Sequence, residues 1–172
     1  MKQSSLKLFL LAAAVLVAAD IVAQQSPAAT ATGKANGATV TINYSSPSVK
    51  GRKVWGELVP YGKVWRAGAN QATTIEFDKD VTVEGKKVPK GKYSVYALPN
   101  SESDWSMIIN SQTGQWGITR GGETTRDASK DVAVVSVKPK KSAAMNEALK
   151  YEVNNNGFSL LWENLEVPVA VK

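Results

Sequence analysis

Short alternations of apolar and polar residues, separated by turn residues, constrain the fold of this chain more than any other feature. Residues 39–44 (TVTINY) place Val40 and Ile42 on one face and polar side chains on the other, and residues 72–77 and 92–98 also alternate. A period of two is typical of half-buried β-strands, and such segments recur here about every 8–12 residues. No long stretch has helical periodicity. The sequence therefore predicts an all-β fold: a single-domain antiparallel β-sandwich or flattened barrel with about nine or ten short strands.

The first 23 residues have the organisation of a secretory signal peptide. Lys2 and Lys7 precede an unbroken apolar run over residues 8–19, and Ala23 offers a small residue for cleavage. The run is shorter than the roughly 20 residues that span a membrane. We therefore expect an exported protein, periplasmic or extracellular, with no transmembrane segment after cleavage. A retained N-terminal anchor is the alternative.

The segment that follows the predicted signal peptide differs in composition from the rest of the chain. Residues 24–37 (QQSPAATATGKANG) are small, polar and without a clear apolar face. This composition favours a flexible low-complexity linker. The folded domain is then expected to occupy residues 38–172.

Missing residue types exclude several chemistries. The chain has no cysteine and no histidine, which removes thiolate nucleophiles, imidazole bases and zinc sites of the Cys/His type. Asp78-Lys79-Asp80 lacks the glycine and the distal glutamate of a calcium loop, so it is interpreted as a turn. No glycine-rich phosphate loop precedes a helix. We predict no catalytic residue, no metal and no cofactor.

The net charge of +6 comes from short basic clusters and not from one continuous basic surface. Residues 50–53, 86–87 and 138–141 each stand beside glycine or proline, as turn residues do. Proteins that bind nucleic acid usually carry a longer basic stripe with aromatic residues between the cations. Nucleic acid is therefore not an expected partner.

The stretch from residue 44 to residue 77 is the densest in unusual side chains. Lys-Val-Trp at residues 53–55 recurs at residues 63–65, and an Asn-Gln pair follows at residues 70–71. One interpretation is a pair of aromatic platforms beside cations. The other is that both tryptophans cover the core under an irregular loop.

This stretch resembles the domain of unknown function 2911 family. The resemblance is carried by Gly-Glu-Leu-Val-Pro-Tyr-Gly-Lys-Val-Trp-Arg at residues 56–66, by Gly-Lys-Tyr-Ser-Val at residues 91–95 and by Gln-Trp-Gly at residues 115–117. It covers roughly residues 38–171 and implies a β-rich secreted domain of the Bacteroidetes, with no established activity. The family pattern has an acidic residue where this chain has Gln71.

A binding module is the leading functional hypothesis. Indole rings stack on sugars, and guanidinium and amide groups bind carboxylates, so a glycan or a small carboxylate is the expected ligand. The candidate ligand-binding residues are Arg52, Trp55, Lys63, Trp65, Arg66, Asn70, Gln71 and Trp116. Two alternatives remain: an extracytoplasmic hydrolase of glycans or esters, and a structural envelope-associated protein with a protein partner.

Overall fold

A computed structural model describes residues 25–172, so the predicted signal peptide lies outside the described residues. This part of the chain contains ten strands in antiparallel sheets that do not close into a barrel. The predicted all-β sandwich is therefore confirmed. The strands are β1 (Ala28–Ala35), β2 (Ala38–Ser45), β3 (Thr74–Phe77), β4 (Val81–Val83), β5 (Lys86–Val88), β6 (Gly91–Leu98), β7 (Trp105–Asn110), β8 (Asp131–Val137), β9 (Lys140–Asn154) and β10 (Gly157–Ala170). Within residues 25–172, no helix has the length and apolar character needed to cross a membrane.

One layer is a six-stranded sheet in the order β1-β2-β3-β6-β7-β8. The other layer combines the long β9–β10 hairpin with the short β4–β5 hairpin. The C-terminus joins the two hairpins: Val83 bridges to Val171, and the backbones of Thr82 and Lys172 exchange hydrogen bonds of 2.6 and 2.9 Å. The two layers enclose one main core.

Alternation along the strands supplies that core, because every second side chain of a strand points to the same face. Both layers contribute fully or almost fully buried apolar side chains. They include Val40, Ile42, Ile75, Phe77, Val95, Met107, Ile109, Leu149, Tyr151, Phe158, Leu160 and Trp162.

The expectation of a flexible linker over residues 24–37 is wrong for most of that segment. β1 forms there and pairs along its whole length with β2. The hairpin turn is Asn36-Gly37, and both residues have the positive φ that the Asn-Gly dipeptide tolerates. Ala35 and Ala38 on either side of the turn are buried. The domain thus begins before β1. Low hydrophobicity concealed this strand, because alanine and threonine give a weak apolar alternation.

β9 is much longer than its sequence pattern indicates. Leu149, Tyr151 and Val153 alternate clearly, but residues 140–148 do not, and they nevertheless belong to the same strand. Register shifts in the β9–β10 pairing between Leu161 and Leu165 accompany this extension. Irregular pairing of this kind interrupts the alternation that sequence analysis relies on.

Gly33 tests whether β1 is an integral strand. A Cβ atom at this position would lie 2.9 Å from Val153 Cβ and 3.1 Å from the Val153 carbonyl oxygen of β9. We expect Gly33→Ala to lower the free energy of unfolding by about 1–3 kcal/mol, because one of the two strands must move. Urea denaturation measures this change, with the exposed neighbour Thr32→Ala as the control. Equal stabilities for the two variants would show that β1 does not pack against β9.

Candidate functional site

Residues 66–72 leave the six-stranded sheet as a short loop and return to it. Trp65 pairs with Ala97 of β6 through two backbone hydrogen bonds of 2.7 and 2.8 Å. The Thr73 N–H donates to the Arg66 carbonyl at 3.3 Å and closes the loop at its base. Both ends of the loop are therefore fixed to the sheet, which determines where Arg66 lies.

A buried tyrosine fixes the loop from below. The Tyr151 hydroxyl of β9 donates to the Ala67 carbonyl at 2.7 Å, and the Thr73 hydroxyl donates to the same oxygen at 2.9 Å. Burial raises the pKa of Tyr151, so its hydroxyl keeps the proton that it donates. Ala67 itself is fully buried with a positive φ. These bonds connect the loop to the second layer of the sandwich.

Four indole rings pack together beside the loop. Trp55 meets Trp65, Trp105 and Trp162 edge to face, at centroid distances of 5.9, 4.9 and 5.7 Å. Trp65 stacks on Trp162 at 5.9 Å. We call these four residues the tryptophan cluster. It joins the 53–65 segment to β7 and to β10.

A surface cleft of about 620 Å³ lies against this cluster and the loop. Its apolar lining includes Pro27, Pro47, Leu58, Val59, Trp65, Ile118 and Trp162. Its cationic residues are Lys50, Arg52 and Arg66. No aspartate or glutamate is among the described residues that line it. The cleft therefore combines an apolar floor with positive charge.

Arg66 is the cation of the cleft that is most removed from water. Its guanidinium donates to the Trp116 carbonyl at 3.2 Å and lies 5.5 Å from the centroid of the Trp116 ring. Burial lowers the pKa of Arg66, because desolvation disfavours its charged form. Within the described residues no carboxylate oxygen lies within 4.0 Å of it. The bond to the Trp116 carbonyl is thus the one hydrogen bond that this five-donor group makes among the described residues.

Gly117 allows this close contact between Arg66 and the 115–118 segment. A Cβ atom at Gly117 would lie 2.9 Å from Arg66 Cβ and 3.1 Å from Ala72 Cβ, and its φ is +92°. Glycine is suited to this position because it has no Cβ atom to clash and because it adopts a positive φ without strain. The Gln-Trp-Gly motif thus has a local physical role: it holds Trp116 against Arg66.

Arg52 lies in the same cleft but is held by its own segment. Its guanidinium donates to the Ser48 carbonyl at 2.6 Å and to the Val49 carbonyl at 3.0 Å. The Lys50 N–H donates to Glu147 Oε1 at 2.8 Å, which orders the turn that carries both cations. These two residues add positive charge at the rim of the cleft.

The structure separates the other candidate residues from this cleft. Trp55 is only 5% exposed and belongs to the core, so its ring faces are not available to a ligand. Lys63 forms an exposed ion pair with Glu123 at 2.8 Å. Asn70 donates to the Ser26 carbonyl at 2.9 Å and supports the loop. Gln71 is exposed on the other side of the loop.

Sequence analysis missed two contributions to the cleft. Trp162 belongs to its lining, although it is only 1% exposed. Residues 25–27 line one wall, which an expected linker would not do. Phe158, Leu160 and Trp162 alternate in sequence as strand residues do, but only the packing of the two layers brings Trp162 next to Trp65.

Metal ligands are not grouped in the part of the chain that the structure describes. No three of its histidine, cysteine, aspartate and glutamate side chains come close enough together to hold a metal ion.

Fold and cleft together define the chain as an all-β sandwich domain with a cation-lined surface cleft. The chain belongs to a family described as "Protein of unknown function (DUF2911)", whose sequence model matches residues 26–171. The match confirms the resemblance and begins before β1, in agreement with the ordered first strand. No curated protein and no solved structure matches the chain.

Two tryptophans test the division between core and site. Trp55→Ala should lower the free energy of unfolding by about 3–5 kcal/mol, because it leaves a cavity in the tryptophan cluster. Trp116 is 48% exposed, so Trp116→Ala should cost less than about 1 kcal/mol. Urea denaturation of both variants gives the comparison. Similar losses would mean that the two rings have similar structural roles.

Proposed function

We propose that this domain is a non-catalytic binding module whose cleft accepts a carboxylate-bearing ligand, a glycan or a small acid. Arg66 is the principal anchor of the ligand in this proposal. In this proposal the glycan or small carboxylate expected from the sequence binds in the cleft.

The observation that carries the proposal is the half-buried guanidinium of Arg66. Desolvation without a nearby carboxylate is unfavourable, and a bound anion would offset this cost. Arginine binds carboxylates through two parallel N–H···O bonds, with the specificity of a planar fork. The Trp116 carbonyl and ring hold the guanidinium in place, so little side-chain freedom is lost on binding.

The floor of the cleft supports a ligand with a ring. Trp65 is partly exposed, and its indole N–H is bonded to the Gly68 carbonyl at 3.0 Å, which fixes the ring. A fixed aromatic face is suited to stacking on a sugar or another flat apolar surface. Leu58 and Ile118 extend the apolar area.

The lining of the cleft favours binding over hydrolysis. A glycosidase of the usual kind places two carboxyl groups about 5–9.5 Å apart across its substrate. The described residues that line this cleft include no carboxylate. No observation at the cleft points to the hydrolase alternative.

We also propose that the protein acts outside the cytoplasm, as an exported protein. The support is the basic start, apolar run and small residue of the first 23 residues. An envelope location would give the cleft access to acidic glycans and to small carboxylates of the medium.

Binding of galacturonate tests the role of Arg66. We expect Arg66→Gln to weaken binding roughly 10- to 100-fold, because hydrogen bonds to a charged group contribute about 1.5–3 kcal/mol. Isothermal titration calorimetry measures the affinity. Arg120→Gln, in the exposed part of the 119–127 loop, is the matched control and should bind as the wild type does. Equal affinities for the wild type and a folded Arg66→Gln variant would disprove the proposed anchor.

The pH dependence of this binding follows from the groups in the cleft. The chain has no histidine. Burial lowers the pKa of Arg66, but the ordinary arginine pKa of about 12.5 lies so far above neutrality that the guanidinium stays charged. Affinity should therefore be constant between about pH 5 and 9 and should fall below about pH 4, where the ligand's own carboxylate takes up a proton. Calorimetry across this range checks the profile. A midpoint between pH 5 and 8 would mean that a different group titrates in the site.

A further inference from the structure

A second groove lies on the opposite side of the 66–72 loop. It has a volume of about 390 Å³ and is located on the outer face of the six-stranded sheet. Its polar lining residues include Thr30, Asn43, Gln71, Thr74, Lys92 and Thr113. Hydroxyl and amide groups predominate, with one cation and no carboxylate among the described residues that line it. The character of this groove differs from that of the cleft, whose floor is apolar.

The strand register creates this polar surface. Thr30 of β1 is the partner of Asn43 of β2, and Asn43 is the partner of Thr74 of β3. Directly paired residues point to the same face of a sheet, so these three form one row across three strands. Lys92 of β6 pairs with Glu76 in the neighbouring row. The groove is thus built largely on strands, with Gln71 and Thr113 contributed by loops.

Several of these polar groups have no partner within residues 25–172. The side chains of Gln71, Thr74, Lys92 and Thr113 make no hydrogen bond or ion pair there. Thr30 donates to Asn43 Oδ1 at 2.8 Å, so the amide N–H groups of Asn43 take no part in that bond. The groove therefore presents both donors and acceptors to solvent.

The two grooves are adjacent. Ser26 and Pro27 line the first groove and Ala28 lines the second, while Ser46 lines the first and Ser45 lines the second. Asn70 lies between them, where its amide donates to the Ser26 carbonyl at 2.9 Å and to the Ser45 hydroxyl at 3.1 Å. A ridge at Asn70 thus separates the cation-lined cleft from the polar groove.

We propose that the two grooves together bind an acidic oligosaccharide, with one sugar carboxylate on Arg66 and the adjoining sugar residues in the polar groove. This inference rests on the proposed function and specifies its ligand class. Sugar hydroxyls donate and accept hydrogen bonds, as do the hydroxyl and amide groups of the groove. Lys92 lines the groove and makes no ion pair among the described residues, and its cross-strand neighbour Glu76 is not part of the lining. A second carboxylate can pair with this cation, so a chain of repeated uronic acid residues is the favoured ligand.

The same geometry disfavours an extended peptide. Peptides that bind to sheets usually pair with the backbone of an edge strand. Although β1 is an edge strand, the polar groove lies on the face of β1, β2, β3 and β6, where the backbone groups between neighbouring strands are already paired with one another. Recognition there depends on side chains, which suits a sugar chain.

Affinities for galacturonate and for tetragalacturonate test the inference, measured by calorimetry on the same protein. The tetramer should bind at least 10-fold more tightly than the monomer. The double variant Gln71→Ala/Lys92→Ala should remove this gain and leave the affinity for the monomer unchanged, whereas Arg66→Gln should weaken both. Lys86→Ala, on the exposed β5 hairpin, controls for a general loss of positive charge and should change neither affinity.

The outcomes separate the two proposals. If the monomer binds through Arg66 but the tetramer binds no more tightly, the proposal of an acidic oligosaccharide as ligand is wrong and the proposed function stands. The inference is also overturned if the double variant still binds the tetramer more tightly than the monomer. It is overturned as well if a tetraglutamate peptide binds as tightly as the tetramer and loses the same affinity in the double variant. If neither sugar binds, the proposed function fails, and this inference fails with it.

Discussion

The contacts among four indole rings are the interaction on which the rest of this structure depends. Trp55 and Trp65 come from the irregular 53–65 segment, Trp105 from β7 and Trp162 from β10, so the cluster joins both layers and the site. Each ring buries a large apolar area, and aromatic pairs add about 0.5–1.5 kcal/mol beyond that burial. The indole N–H groups of Trp55 and Trp162 are buried without a hydrogen-bond partner among the described residues. Trp55 is close to perpendicular to both Trp65 and Trp162, a geometry in which an N–H group can face a ring.

The cluster explains how an irregular segment can hold a cation in a defined position. Trp65 is fixed on one side by Trp162 and on the other by its backbone pairing with Ala97. Arg66 follows directly, and its carbonyl and guanidinium are both hydrogen-bonded to the protein. Preorganisation of this kind reduces the entropy lost when a ligand binds. The same contacts keep the guanidinium of Arg66 partly out of water, and its electrostatic attraction to a bound anion is stronger there than in bulk water.

Sequence patterns predicted the sandwich because most strands bury one face, and Val40, Ile42 and Phe77 show that alternation plainly. They failed for β1, where alanine and threonine alternate with little contrast and the Asn-Gly turn at residues 36–37 was assigned to a linker. Within the site, Trp55 and Trp65 both follow a Lys-Val pair, so no local signal could tell the buried ring from the partly exposed one. Arg66 and Gln71 were both expected to bind the ligand of one site, but they line different grooves.

The most direct test of this account is the response of the five tryptophan indole N–H signals to galacturonate in a two-dimensional NMR titration. The signals of Trp65 and Trp116 should shift with ligand concentration, because one ring lines the cleft and the other holds Arg66. Those of Trp55 and Trp105, which lie within the core, should stay in place. Shifts at Trp55 and Trp105 as large as those at Trp65 and Trp116, or no shift at any of the five, would contradict a preorganised binding cleft at Arg66.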